Sequence, residues 1–259
     1  MPYDPLKRAE EVLRVVARTK GGLEERLYYR FRGGRWYGGI ASADVIGCNL
    51  SCKFCWAWYF RDDVRRGSWH NHVEAGEKLV SIASRGGYEY VRLTGGEPTI
   101  AWSHLTKLID YVTSRGYRFI VETNGILIGA YEKLAEELSK YRGRILVRVS
   151  FKGVTPQEFS FLTGANESSW YLQLNALRNL LKNGLKPIEN FYAAAMIGWS
   201  LDSDIEKFKQ QLYNIHPDLV DVDWEYVIMY NHVAKYINMT GLPKPKRLVY
   251  PSSIPREMI

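Results

Sequence analysis

The chain has 259 residues, 46% hydrophobic and 24% charged, a balance that excludes wholesale disorder and suits one large domain or two small ones. Lysine and arginine outnumber aspartate and glutamate by 35 to 28, a net charge of +7 that favours an acidic partner or substrate without identifying it. No run approaches the roughly 20 apolar residues of a membrane span, and the first ten residues lack the apolar core of a secretory signal. A cytoplasmic protein with no membrane partner is therefore expected.

Pro5 to Arg18 carries Leu6, Ala9, Leu13, Val16 and Ala17 on one side, the pattern of an amphipathic helix that ends at Gly21-Gly22. An extended segment follows, and residues 38–46 read as a buried strand running straight into a polar loop. Strand and helix then alternate. Helices are expected over 73–84, 103–114 (with Ser103 as N-cap), 130–140, 168–182 and 202–212, and strands over 88–93, 117–122, 145–151, 187–197 and 219–229. Six strands separated by helices imply right-handed crossovers and a parallel sheet. An eight-unit barrel would need two more units, so the expected fold is a single-domain α/β partial (β/α)6 TIM-like barrel. Residues 1–35 form a helix and lead-in, 36–240 the core, and 241–259 a tail whose four prolines keep it extended on the surface.

The chain has three cysteines, Cys48, Cys52 and Cys55, all within eight residues. A disulfide scaffold uses an even number spread along the chain, so this cluster points to metal or redox chemistry. It begins where the 38–46 strand ends, the side on which parallel α/β folds place ligands. Three thiolates on one short loop suit three irons of a cubane cluster. No fourth cysteine exists, which leaves one iron open. The rival is a zinc-binding module with His70 or His72 as fourth ligand.

The spacing Cys48-x-x-x-Cys52-x-x-Cys55, with Phe54 before the last cysteine, resembles the radical S-adenosylmethionine (radical SAM) superfamily. The resemblance covers about residues 40–230. It implies a 4Fe–4S cluster on the three cysteines, with S-adenosylmethionine on the open iron and Phe54 beside the adenine. Leu93-Thr94-Gly95-Gly96-Glu97-Pro98 is similar to the family's Gly-Gly-Glu-Pro turn, which implies contact with the methionine amino group. Glycines there would let main chain approach the ligand, so a bulkier residue at Gly96 should weaken cofactor binding and spare the cluster. Glu122-Thr123-Asn124-Gly125 resembles a run in glycyl-radical-enzyme activases and 7-carboxy-7-deazaguanine synthases. Ser150 or Lys152 would meet the methionine carboxylate or ribose, and Met196-Ile197-Gly198 the adenine.

The implied reaction is reductive cleavage of S-adenosylmethionine to a 5′-deoxyadenosyl radical that abstracts a substrate hydrogen. Two departures stand out. Trp56-Ala57-Trp58-Tyr59-Phe60 follows the third cysteine where the two named groups carry other residues. The Phe-Cys-Trp run is also reminiscent of wyosine-forming tRNA enzymes, but the further cysteines of an auxiliary cluster are missing. Arg61, Arg65 and Arg66 suit docking of an acidic electron donor, flavodoxin or ferredoxin, or the grip on a substrate. A polypeptide substrate, met by an activase at the barrel mouth, is slightly preferred over a small molecule. Lys244, Lys246 and Arg247 hint more weakly at RNA.

Overall fold

The computed structural model describes residues 1–255. Helix α1 (Pro5–Val16) starts where the Asp4 carboxylate accepts a hydrogen bond from Leu6 N and Pro5 presets the first turn. Strands β1 (Ala17–Lys20) and β2 (Leu23–Gly34) form a hairpin that leads to β3 (Ile40–Val45). The cysteine loop follows, closed by the short α2 (Trp58–Arg61), then β4 (Ser68–Asn71) and α3 (His72–Gly86). Asn71 and Glu74 cap α3 reciprocally. The chain continues through β5 (Tyr90–Gly95), α4 (Trp102–Thr113), β6 (Arg118–Thr123), α5 (Ile126–Ala130), α6 (Glu132–Ser139) and β7 (Ile145–Phe151). Next come α7 (Pro156–Thr163), α8 (Trp170–Lys182), β8 (Phe191–Met196), α9 (Asp202–Tyr213) and β9 (Asp223–Glu225). The chain ends with β10 (Val227–Ile228), α10 (Asn231–Met239) and β11 (Leu248–Val249).

The six expected parallel strands are present, in the order β3-β5-β6-β7-β8-β9, and the sheet is an open partial barrel. Its pleat sorts the side chains. Leu93, Val121, Val147, Val149 and Ala193 are buried against the helices, whereas Arg92, Glu122, Arg148 and Ser150 line an inner cavity. A wholly buried parallel strand reads as continuously apolar. The mid-strand charges in β5, β6 and β7 therefore mark the inner wall of a site.

The structure departs from the expected elements in several places. The lead-in is part of the main sheet: β2 pairs antiparallel with β3 and also with β4. Helix α4 begins at Trp102 with Ala101 as its cap residue, two positions before Ser103. Helix α7 was not expected, because its eight residues are too few to display a full apolar stripe. The single strand expected over 219–229 divides into a 3-10 turn (Pro217–Val220), β9 and β10, and β10 leaves the main sheet to pair with β11 of the tail. Helix α10 was missed for a similar reason, its nine residues following a run read as strand. The last part of the proposed tail, residues 256–259, lies outside the described residues. Among the described residues, no helix is long and apolar enough to cross a membrane.

Candidate active site

The cysteine loop is welded to the Gly-Gly-Glu-Pro turn through main chain. Gly96 N donates to Val45 O and Glu97 N to Gly47 O, each at 2.8 Å. A Cβ at Gly96 would lie 2.1 Å from Gly47 O, closer than any real contact. Glycine is thus demanded at 96 by the close passage of the protein's own backbone, beside Cys48, and not only by a ligand.

Glu97 is 2% exposed, and its carboxylate accepts four hydrogen bonds: from Thr99 N, Thr99 Oγ1, Thr123 Oγ1 and Asn124 N. Burial raises its pKa against the lowering effect of those donors. Pro98 opens the short 3-10 turn that carries Thr99. Asn124 Nδ2 donates to Asn49 Oδ1 at 2.7 Å, which ties the end of β6 to the cysteine loop. Glu97 and Asn124, expected as ligand contacts, spend these polar groups on neighbouring loops, Glu97 on the end of β6 and the Asn124 amide on the cysteine loop. Gln173 was missed by the sequence reading. It is fully buried, and its Nε2 donates to Asn124 O and Ser150 O, which clamps the ends of β6 and β7.

Cys48, Cys52 and Cys55 all border a cavity of about 700 Å³ at the carboxyl ends of the strands. Burial pushes all three thiols up, Cys52 to about 12. Phe54 is 7% exposed and stands 5.4 Å from the Trp199 ring, with Met196 also on the cavity wall. Thr94, Gly95, Gly96, Ser150 and Lys152 line the same cavity. Lys152 is no solvated strand-end lysine: its Nζ donates to Ser150 Oγ and lies 3.4 Å from Glu225 Oε2.

The remaining wall is charged. Arg92 donates to Glu122 at 2.6 Å, and Tyr37 OH donates to the same carboxylate at 2.8 Å. Arg148 pairs with Asp223 at 2.6 Å and Glu225 at 2.7 Å. Burial would raise both glutamates, but the neighbouring cations overcome it. Arg92 and Arg148 hold Glu122 at about 2, and Lys152 and Arg148 hold Glu225 at about 2. Glu122, expected near the cofactor, therefore sits in an ion-pair network facing the barrel interior. The signal that could have found Asp44, Arg92 and Arg148 is their charge at alternate positions within otherwise apolar strands.

Helix α10 covers the other side of the cysteine loop. Trp58 stacks on Tyr236 with centroids 4.6 Å apart, Trp58 Nε1 donates to His232 O, and His232 Nε2 lies 3.0 Å from Trp56 O. Phe60 stacks flat on Tyr29 at 4.5 Å. The aromatic run is thus largely a packing seam, although Trp56 faces the cavity and stays 39% exposed.

The rival zinc site and a single basic surface both fail on geometry. His70 and His72 do not join the cysteines. His70 packs against Tyr28 and Phe31 and lies 2.9 Å from Ser68 Oγ, while His72 opens α3. Among the described residues, no three potential ligands gather around a single ion. Thiolates of a cubane each hold a different iron and stand further apart than the ligands of one zinc. Arg61, Arg65 and Arg66 do not form one surface either. Arg61 is 5% exposed, paired with Asp62 and directed at Cys52 O, whereas Arg65 and Arg66 pair with Asp63 away from the cavity.

A loop of three thiols at the carboxyl ends of an open parallel barrel, beside a charged cavity, is the arrangement of a partial-barrel protein with a soft-donor site for metal or redox chemistry. Residues 45–212, more than half of the chain, match the Radical SAM superfamily. The chain belongs to that superfamily. It is 34% identical over 124 residues to a GTP 3′,8-cyclase of Syntrophomonas wolfei, covering 47% of this chain and 36% of that protein. It is 37% identical over 81 residues to a 7-carboxy-7-deazaguanine synthase of Rhodopirellula baltica, covering 30% and 28%. The chain thus matches well under two thirds of the length of these curated relatives. Its fold is similar to that of Streptococcus suis SuiB bound to S-adenosylmethionine, with a TM-score of 0.54 at 16% identity over 83% of this chain and 53% of the other.

The residues present fit the cluster that the family implies. Soft thiols are the iron–sulfur donor set, and three of them border one cavity. Beside Cys48, the buried Asn49 Nδ2 has no acceptor, a donor that a cluster or cysteinyl sulfur would satisfy.

Proposed function

We propose that this enzyme acts on a small polar molecule held inside the barrel, with Cys48, Cys52 and Cys55 as ligands of a 4Fe–4S cluster. Held there, the cluster, once reduced by an external one-electron donor such as flavodoxin or ferredoxin, would supply the electron for cleavage of S-adenosylmethionine to methionine and the radical that takes a substrate hydrogen. Thr94, Gly95 and Gly96 present main chain and hydroxyl to the methionine amino group. Ser150 and Lys152 serve its carboxylate or the ribose, and Phe54 and Met196 flank the adenine. The seam of Trp58, Tyr236 and His232 excludes water and oxygen from the thiols.

The observation that carries this reading is the cavity of about 700 Å³ with charge on its inner wall, a volume suited to a cofactor and a compact ligand. A polypeptide substrate, the activase alternative, receives less support, because the three arginines expected to receive it are scattered and internally paired. The names of the relatives, a GTP cyclase and a deazaguanine synthase, favour the small-molecule side as well. Exposed Arg65 and Arg66 remain the best candidates for docking an acidic flavodoxin or ferredoxin. No observation favours RNA.

The test uses anaerobically reconstituted protein, reductant and S-adenosylmethionine with extracts of cells grown in deuterated medium. Deuterium in 5′-deoxyadenosine should come from the small-molecule fraction. Label arriving only from the protein fraction would return the activase reading.

A further inference from the structure

We infer that Arg30 and Arg32 form an oxyanion subsite that grips a phosphoryl or carboxylate group of the substrate. The inference rests on the small-molecule reading and adds the chemical class. Both arginines lie on β2, outside the six parallel strands, and both reach the cavity. A β-bulge puts them there. Tyr28 pairs with Val45, yet Arg30 and not Tyr29 pairs with Asp44, so Tyr29 is the extra residue. In an unbulged ladder Arg30 would oppose Ala43, which faces the helix-side core. The one-residue insertion turns Arg30 and Arg32 onto the inner face, opposite Asp44 and Ser42.

Charge counting separates this pair from the other cations of the wall. Arg92 has Glu122, Arg61 has Asp62, and Arg148 and Lys152 share Asp223 and Glu225, so each of those groups has its own carboxylate. Arg30 and Arg32 share one counter-charge. The buried Asp44 carboxylate accepts from Arg30 Nε at 2.5 Å and from Arg32 Nε at 3.1 Å and NH2 at 3.3 Å. One positive charge is left over. Both terminal nitrogens of Arg30 and one of Arg32 have no hydrogen-bond partner among the described residues, and the two side chains keep 46% and 24% exposure. Asp44 thus fixes the Nε side of each fork, and the free N–H groups are available for bidentate recognition of an oxyanion. Trp56 lies beside them, its ring 5.8 Å from the Arg30 guanidinium carbon.

Calorimetry on the full reconstituted chain at low salt, with pyrophosphate and malonate as probes, tests the subsite. At least one probe should bind, and its identity tells phosphoryl from carboxylate. Arg30→Gln and Arg32→Gln should each weaken that binding about tenfold or more, the size of one lost charge-assisted hydrogen bond. Asp44→Asn should strengthen it, because the second guanidinium loses its counter-charge, and this opposite sign guards against a mere folding defect in the arginine variants. Absence of binding by either probe, or binding unchanged in both arginine variants, would overturn the subsite. Deuterium transfer from the small-molecule fraction to 5′-deoxyadenosine in the unaltered protein tests the underlying reading separately. A positive transfer with no anion binding would sink the subsite alone.

Discussion

Replacing Gly96 by alanine tests whether this glycine serves a ligand or the fold. The new Cβ would stand 2.1 Å from Gly47 O and 2.9 Å from Val45 O. Both contacts are backbone, so no side chain can swing aside, and the two loops must separate by about 1 Å to restore ordinary contact. Separation stretches two main-chain hydrogen bonds, Gly96 N to Val45 O and Glu97 N to Gly47 O. Each is worth about 1 kcal/mol net, and overpacking of this kind adds about 1–3 kcal/mol. A loss of about 4 kcal/mol is expected, which for a chain of this size lowers Tm by roughly 10 °C. Because Gly47 precedes Cys48, iron retention should fall too. Circular-dichroism melting and iron and sulfide content of reconstituted Gly96→Ala measure both effects. A variant that melts within about 2 °C of the parent, keeps its iron and loses only affinity for S-adenosylmethionine would refute this reasoning and restore a purely ligand-facing role.

Alanine at Cys48, Cys52 or Cys55 should abolish the broad charge-transfer absorption of reconstituted protein, measured anaerobically before and after reduction; stoichiometric zinc without acid-labile sulfide would contradict the cluster assignment. Glu225 is held at about 2, below its ordinary value of 4.5, so between those limits the unfolded chain binds more protons than the folded one. Its contribution is therefore full above about pH 4.5 and fades as pH falls toward about 2, and Glu225→Gln should flatten that acid limb in urea midpoints taken down the pH scale. Trp58→Ala removes the stack on Tyr236 and the donor to His232 O. Faster hydrogen exchange confined to α10 is the expected outcome, and α10 protection equal to that of the parent would show that the seam does not hold the helix.

The local parts of the site were legible in the sequence because they depend on neighbours along the chain. Three thiols within eight residues, after a buried strand, define a donor set wherever the loop lies. The alternation of apolar strands and amphipathic helices likewise sufficed for six parallel strands. Hydrophobic periodicity reports which face of an element is buried, and that property is written into a window of residues.

What the tertiary structure decided depends on partners far apart in the chain. Glu97 looked like a ligand contact, and only its meeting with Thr123 and Asn124, some 26 residues on, shows that the carboxylate joins two strand ends. His70 and His72 had suitable chemistry for zinc, but strand pairing of β4 with β2 places His70 among aromatic rings. Arg61, Arg65 and Arg66 read as one basic patch, yet the fold buries the first and leaves the others paired outside. The inward turn of Arg30 hangs on a single extra residue in the β2–β3 ladder. A strand's two faces differ by one position, so an arginine's side of the sheet is set by the register of its pairing, and register exists only once the second strand is in place.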